Sequence, residues 1–182
     1  HPREEKITCV LPEISPGNAF YAQCHIAPDN NLWVMTSTGL RCYDPSTLQL
    51  KESVALSGYP YYSYLHNNEL WITGNHTLSI FDTRTHSFKP LPQPIAHNTT
   101  LCNADIDYIH PYGNNGLLLN TARHGMFYYN PGTGSVTRQD ENGFPFEMPR
   151  FRISRMFTDS QQNLWIGSVD QGYTVCYHYK ER

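Results

Sequence analysis

Short apolar runs recur along the chain and alternate with clusters of polar turn residues. The most apolar runs contain Leu-Trp or Leu-Leu, and they are centred on Trp33, Trp71, Leu118 and Trp165. These centres lie 38, 47 and 47 positions apart, and self-similarity at about 40 to 50 residues is typical of β-propeller blades. Each run is short and has no polar alternation, which indicates a strand that is buried on both faces.

Each repeat predicts four strands around this buried one. A first strand precedes it, at residues 21–26, 61–66, 105–110 and 152–157. A small-residue turn leads from the buried strand to an aromatic third strand, and a weaker fourth strand follows at residues 48–56, 87–93 and 135–141. Polar, Pro-bearing segments of this kind are expected at the outer edge of a sheet.

The predicted fold is therefore all-β, a β-propeller region over residues 1–182 with four blades of four antiparallel strands. The blades are expected at about residues 19–56, 57–93, 103–140 and 150–182, with residues 7–11 as an extra outer strand. Two arrangements remain open. Residues 7–11 complete the last blade and close a ring of four, or the chain is a fragment of a larger ring.

An Asp or Asn follows the third strand in three repeats, at Asp44, Asp82 and Asn130. Side chains of these types turn the chain by accepting hydrogen bonds from their own backbone. We interpret their recurrence as structural rather than catalytic.

Composition narrows the function classes. The 13 Tyr, 13 Pro and 12 Gly, with only 16% charged residues, favour strands and turns. The net charge of −3 provides no basic surface for a nucleic-acid backbone, so this partner class is set aside. No apolar run approaches the roughly 18 residues of a membrane span, and the chain begins at His1. We expect a piece of a longer protein that contacts a membrane only through its other parts.

The cysteines and histidines suggest neither a metal nor a cofactor. The five Cys show no zinc spacing, and the nine His show no closely spaced ligand pair. Aligning the repeats places Cys42 and Cys176 where the other copies have Ile80 and Tyr128. A position shared by these residue types indicates packing.

The repeats resemble the blades of two-component-regulator propellers, whose motif reads D-x-x-N-L-W-I-G, a Gly-Leu turn and Y-D-P-x-T. The matching segments are residues 29–47, 67–85, 114–134 and 159–173. Leu118 in place of Trp, Thr77 in place of the turn Gly and Asn130 in place of Asp depart from the motif.

This family forms the extracytoplasmic sensor regions of hybrid two-component histidine kinases in gut Bacteroidetes such as Bacteroides. The resemblance implies a ring of about seven blades and a non-catalytic, periplasmic region of an inner-membrane protein that senses a glycan fragment. The kinase chemistry would lie elsewhere in the parent protein, so no catalytic residue is carried over.

In a propeller, the fourth-to-first and second-to-third strand connections share one face, which we call the loop face. Aromatic rings that stack on a sugar, with polar groups for its hydroxyls, make this face the predicted ligand site. The predicted ligand-binding residues are Tyr59, Tyr61, Tyr62, His76, Arg123, His124, Arg150, Arg152 and Asp170.

Two other functions remain open. One is a structural or protein-interaction propeller, and an incomplete ring would expose blade faces that favour a homo-oligomer or further blades. The other is a sialidase-like or lyase-like carbohydrate-active enzyme, suggested by the S-x-D-x-G-x-T segment at residues 168–174. A glycosidase also needs a pair of placed carboxyls, or a Tyr nucleophile with a partner acid, and the sequence alone identifies no such pair.

Overall fold

The computed structural model describes residues 22–113, 115–148, 153–168 and 172–176. These residues form four antiparallel sheets that follow one another along the chain, and in each sheet the strand order is the chain order. The first sheet contains β1 (Ala22–Ile26), β2 (Leu32–Thr36), β3 (Gly39–Tyr43) and β4 (Leu50–Val54). The second contains β5 (Pro60–His66), β6 (Glu69–Gly74), β7 (Thr77–Asp82) and β8 (Ser87–Lys89). The third contains β9 (Ile106–Tyr112), β10 (Gly116–Thr121), β11 (Gly125–Asn130) and β12 (Ser135–Arg138). The fourth has three described strands, β13 (Ile153–Thr158), β14 (Leu164–Ser168) and β15 (Tyr173–Cys176).

The second strands of the second and third sheets bury side chains on both faces, which explains the missing polar alternation. Successive side chains of a strand point to opposite faces. In β6, Trp71 therefore packs toward the third sheet, whereas Leu70 and Ile72 pack toward the first. In β10, Leu118 packs against the fourth sheet while Leu117 and Leu119 pack against the second.

Three hydrophobic clusters fill the spaces between neighbouring sheets. Between the first and second sheets lie Trp33, Met35, Leu40 and Cys42 with Leu70, Ile72 and Phe81. Between the second and third lie Trp71 and Ile80 with Ile106, Ile109, Leu117, Leu119 and Phe127. Between the third and fourth lie Leu118 and Met126 with Met156, Leu164 and Ile166.

The alignment of the repeats places Cys42 correctly in the first sheet and misplaces Cys176 in the fourth. Cys42 is fully buried opposite Trp33. In the fourth sheet the residue opposite Trp165 is Val175, and Cys176 lies opposite Leu164. The alignment therefore misplaces Cys176 by one residue, because it relies on the Tyr that follows each Cys. The strand register is set instead by the pairing across the hairpin.

Side chains of the first strands connect neighbouring sheets. The Tyr62 hydroxyl donates to the carbonyl of Ile109 at 3.2 Å, and the Tyr108 hydroxyl donates to the carbonyl of Met156 at 3.2 Å. His25 Nε2 lies 2.8 Å from Ser63 Oγ. The first strands therefore lie innermost in the arrangement, next to one another.

Two one-turn helices, α1 (Gln93–Ala96) and α2 (Thr99–Cys102), occupy a segment in which sequence analysis predicts a loop. The Asn98 side chain caps α2 by accepting from the Leu101 amide at 2.9 Å. Ile95 and Leu101 are fully buried in the cluster between the second and third sheets. Both helices are too short to produce a helical hydrophobic period, which is why the pattern did not predict them.

The turn-forming role of Asp44, Asp82 and Asn130 is confirmed. Each side chain accepts from the backbone amides two and three residues ahead, at 2.8–3.0 Å for Asp44, 2.9–3.1 Å for Asp82 and 2.9–3.4 Å for Asn130. The Thr47 and Ser46 amides hold the pKa of the Asp44 carboxyl below its ordinary value.

The fourth sheet presents its Trp-bearing face to solvent. Trp33 and Trp71 are 0% and 2% exposed, but the equivalent Trp165 is 39% exposed and the neighbouring Phe157 is 63% exposed. No described sheet covers this face, which favours the open alternative over a closed ring of four. Residues 7–11, which were expected to complete the last blade, lie outside the described residues, and the homo-oligomer or further blades remain a prediction.

We expect Trp33→Ala to destabilise the protein by about 3–5 kcal/mol, since it removes a fully buried indole. The matched variant Trp165→Ala removes the same side chain from the same repeat position, where it is 39% exposed and no described sheet covers it. Its cost should be clearly smaller. Urea unfolding of both variants measures the difference, and equal losses would mean that coverage by the next sheet is not what stabilises the repeat.

We expect the protein to lose stability as the pH falls, because of the buried His110. This side chain is 8% exposed, and its Nε2 lies 2.8 Å from Thr158 Oγ1. Burial lowers the pKa of His110 to about 4. In the unfolded chain this imidazole binds a proton near pH 6.5, whereas in the folded protein it does so only near pH 4. The contribution of the neutral His110 to stability is therefore complete above pH 6.5 and is lost as the pH falls from 6.5 to 4. This pKa shift corresponds to a change in the free energy of unfolding of about 3 kcal/mol.

Urea unfolding between pH 7.5 and 4 measures this dependence. His110→Gln serves as the control, because it removes the titrating group and keeps a polar side chain next to Thr158. A variant with the same pH dependence as the parent would exclude His110 as the source.

Candidate functional site

The described part of the predicted loop face lies at one edge of the second and third sheets. Tyr59 precedes β5 and is 48% exposed. His76 lies in the turn between β6 and β7, and the exposed Arg123 and His124 lie in the turn between β10 and β11. Arg150, Arg152 and Asp170 are outside the described residues.

His76 joins the second sheet to the start of the third. Its backbone amide donates to Asp105 Oδ1 at 3.0 Å, and its ring Nδ1 lies 3.0 Å from the carbonyl oxygen of Asn103 and 3.3 Å from Asp105 Oδ1. Because a carbonyl oxygen only accepts, we assign the proton to Nδ1, which leaves Nε2 of the neutral ring as an acceptor. Asp105 and Asn103 are loop-face residues that sequence analysis did not select.

Tyr61 lies at a β-bulge that recurs in three sheets. The pairing skips Tyr61 in β5, Asp107 in β9 and Ser154 in β13, and such bulges redirect side chains at the edge of a sheet. The Tyr61 hydroxyl is buried and has no hydrogen-bond partner among the described residues. Burial raises its pKa, and the carboxylates of Asp105 and Asp107 raise it further.

This environment opposes a catalytic role for Tyr61. A nucleophilic side chain is activated by a lowered pKa or an adjacent base, whereas burial and two nearby carboxylates keep this phenol protonated. The arrangement places hydrogen-bonding groups together without activating a nucleophile.

Tyr62 belongs to the packing between sheets. Its hydroxyl is bonded to the Ile109 carbonyl, and its ring centre lies 5.0 Å from that of Tyr108. The Arg155 guanidinium lies 5.6 Å from the centre of the Tyr108 ring. The structure therefore places Tyr61 and His76 near the same carboxylate, Asp105, and directs Tyr62 to another environment.

A cavity of about 410 Å³ opens at the opposite edge of the same two sheets. This edge carries the first-to-second and third-to-fourth strand turns, and we call this space the Trp71 cavity. Its lining residues are His66, Asn67, Asn68, Glu69, Trp71, Asp82, Arg84, Lys89, Pro92, Asn115, Leu117, Tyr129 and Pro131. Sequence analysis placed the ligand site on the loop face and missed this cavity.

Comparison with known proteins identifies the fold. The extracellular domain assigned to the hybrid two-component system BT3049 of B. thetaiotaomicron matches 91% of this chain with a TM-score of 0.60 and 20% identity. The extracellular domain assigned to the hybrid two-component system BT4673 of the same organism matches 87% with a TM-score of 0.64 and 21% identity. The β-propeller domain of Cps50 (Swd1) from Myceliophteria thermophila matches 87% with a TM-score of 0.61 and 16% identity, and the matched part is 53% of that domain.

This chain has the β-propeller fold. Each of its sheets is a blade, as the sequence predicts. The propeller spans about a fifth of the length of the two B. thetaiotaomicron domains, since the matches cover 21% of each. No protein-family model and no curated protein matches the chain.

Two further observations concern the described residues of the propeller. They contain no group of three or more His, Cys, Asp or Glu side chains placed to hold a metal ion. None of the helices in this part of the chain has the length and apolar character needed to cross a membrane.

We expect Tyr61→Phe to leave stability unchanged or slightly raised, because the lost hydroxyl is buried without a described partner. The matched variant Tyr62→Phe removes the bond to the Ile109 carbonyl and should cost about 0.5–1.5 kcal/mol. Thermal or urea unfolding of both variants measures the contrast. A clear loss for Tyr61→Phe would reveal a partner for its hydroxyl.

Proposed function

We propose that this propeller is a non-catalytic, ligand-binding part of an extracytoplasmic sensor in a hybrid two-component system, and that its ligand is a glycan fragment. The observation that carries the proposal is the match of 91% and 87% of the chain to two extracellular domains assigned to such systems. The proposal includes a periplasmic location, which the description of both matched domains as extracellular supports. Attachment to the inner membrane would belong to other parts of the parent protein.

The chemistry of the described residues supports binding rather than catalysis. The carboxylates of Asp44 and Asp82 accept hydrogen bonds from backbone amides of their own turns. Asp159 does the same in the fourth blade and also accepts from the Trp165 indole at 2.8 Å. These three carboxylates form turns, and the Tyr61 phenol is kept protonated, so none of these four groups supplies the activated nucleophile that a glycosidase needs.

A second candidate function is a protein-interaction propeller. The open face of the fourth blade forms an apolar groove of about 300 Å³ lined by Arg155, Met156, Phe157, Trp165 and Gly167. An apolar surface of this kind favours coverage by another blade or a second copy of the chain.

A thermal-shift screen of the purified chain against neutral and acidic plant and host oligosaccharides tests the sensing proposal. A ligand that binds only the folded state stabilises it by about 2.7 kcal/mol at one hundred times its dissociation constant, so at least one oligosaccharide should raise the melting temperature. Chromatography of the same sugars after incubation is the control for catalysis.

The alternative functions give different results in this screen. Cleaved sugars would support the carbohydrate-active enzyme and contradict the non-catalytic proposal. No thermal shift with any sugar, together with self-association that Phe157→Lys abolishes in light scattering, would favour the interaction propeller.

A further inference from the structure

The Trp71 cavity lies at an interface that lacks one side chain present at the neighbouring interface. Between the first and second blades, the His86 ring lies 5.2 Å from the Trp33 indole and its Nδ1 lies 2.5 Å from Glu52 Oε2. His86 thereby fills the space beside Trp33, which is fully buried.

The equivalent position between the second and third blades is a glycine. Asp82 and Asn130 begin matching turns, and four residues later these turns carry His86 and Gly134, with φ values of 54° and 63°. Nothing lies within 4 Å of the place where a Cβ of Gly134 would be. Position 134 therefore places no side chain beside Trp71, and this turn contributes only Pro131 to the lining of the cavity.

The partner of His86 is exchanged as well. Glu52 lies opposite Cys42, and the residue opposite the equivalent Ile80 is Lys89. Lys89 is bonded to Glu69 within its own blade, whereas Glu52 is bonded across the interface to His86. Both residues of the His86–Glu52 contact at the first interface are therefore replaced at the second, by Gly134 and Lys89.

The floor of the cavity is aromatic and apolar. Trp71 is 2% exposed, and its ring centre lies 6.2 Å from that of Tyr129. Leu117, Pro92 and Pro131 complete this surface. The Trp71 indole N–H has no acceptor among the described residues, and neither has that of Trp33, so the turn position without a side chain at Gly134 is what distinguishes the second interface.

The rim provides hydrogen-bonding groups without a net charge. Asn67, Asn68 and Asn115 contribute amides, which both donate and accept. The acidic Glu69 and Asp82 are balanced by the basic Arg84 and Lys89. An apolar, aromatic floor with a neutral polar rim suits a ligand that has hydroxyl groups, an apolar C–H face and no charge.

We infer that the Trp71 cavity binds a short neutral oligosaccharide, with a sugar ring over the floor and its hydroxyls bonded to the asparagine amides. The inference rests on the proposed ligand-binding function and locates its ligand on the face opposite to the one that the sequence predicts. A volume of about 410 Å³ lies within the ordinary range of small-molecule sites.

The test introduces at Gly134 a histidine, the side chain that packs beside Trp33 at the first interface. Gly134→His introduces His at a left-handed position, which His86 adopts in the equivalent turn. Gly134→Ala also places a side chain at this left-handed position, at a backbone cost no smaller than that of His, but its methyl group is too short to fill the space. Tyr59→Ala and His76→Ala test the loop face.

Nitrogen–proton NMR provides the readout, because the chain has three Trp and therefore three indole N–H signals. The Trp71 signal is assigned with Trp71→Phe. The probes are maltotriose, cellotriose, xylotriose and mannotriose, with trigalacturonate as the acidic comparison.

We expect at least one neutral trisaccharide to shift the Trp71 signal, with binding weakened at least about tenfold by Gly134→His and retained in Gly134→Ala. Binding that is lost in the loop-face variants and kept in Gly134→His would overturn the cavity inference and leave glycan sensing standing. Trigalacturonate as the sole binder at Trp71 would overturn the neutral class. Absence of binding by every probe here and every sugar of the thermal screen would count against the proposed function itself.

Discussion

The structure depends on the burial of the second strands of the blades at the interfaces with neighbouring blades. Trp33 and Trp71 are covered because another blade follows them, whereas Trp165 lies at the same repeat position and remains partly exposed. A four-stranded sheet with apolar residues on both faces of its central strands cannot shield both faces by itself. Stability in this protein is therefore a property of interfaces between blades rather than of any single blade.

The turns keep these interfaces similar from one blade to the next. The first-to-second strand turns place Asn30, Asn67, Asn115 and Gln162 at left-handed φ values between 55° and 67°. Asn tolerates this conformation better than most residues, which explains the Asn-rich segments before each buried strand. A repeated backbone leaves the identity of individual side chains as the main difference between one interface and the next.

Such differences concentrate at two places between the second and third blades. On the loop face, a bulge brings the Tyr61 phenol near the carboxylates of Asp105 and Asp107. On the opposite face, Gly134 replaces the side chain that closes the first interface. Both places combine aromatic and polar groups, and the cavity is the one that also has room for a ligand.

The repeat, the all-β class, the strand order within blades and the turn-forming role of Asp44, Asp82 and Asn130 follow from the sequence alone. Each depends on local pattern, on hydrophobic spacing or on a side chain that bonds its own backbone. The two short helices, the register of Cys176 and the different surroundings of Tyr61 and Tyr62 were decided only by tertiary structure. The Trp71 cavity belongs with them, since a glycine in a turn looks ordinary in sequence, and only the packing of neighbouring blades shows that the equivalent turn of the second blade places His86 against Trp33.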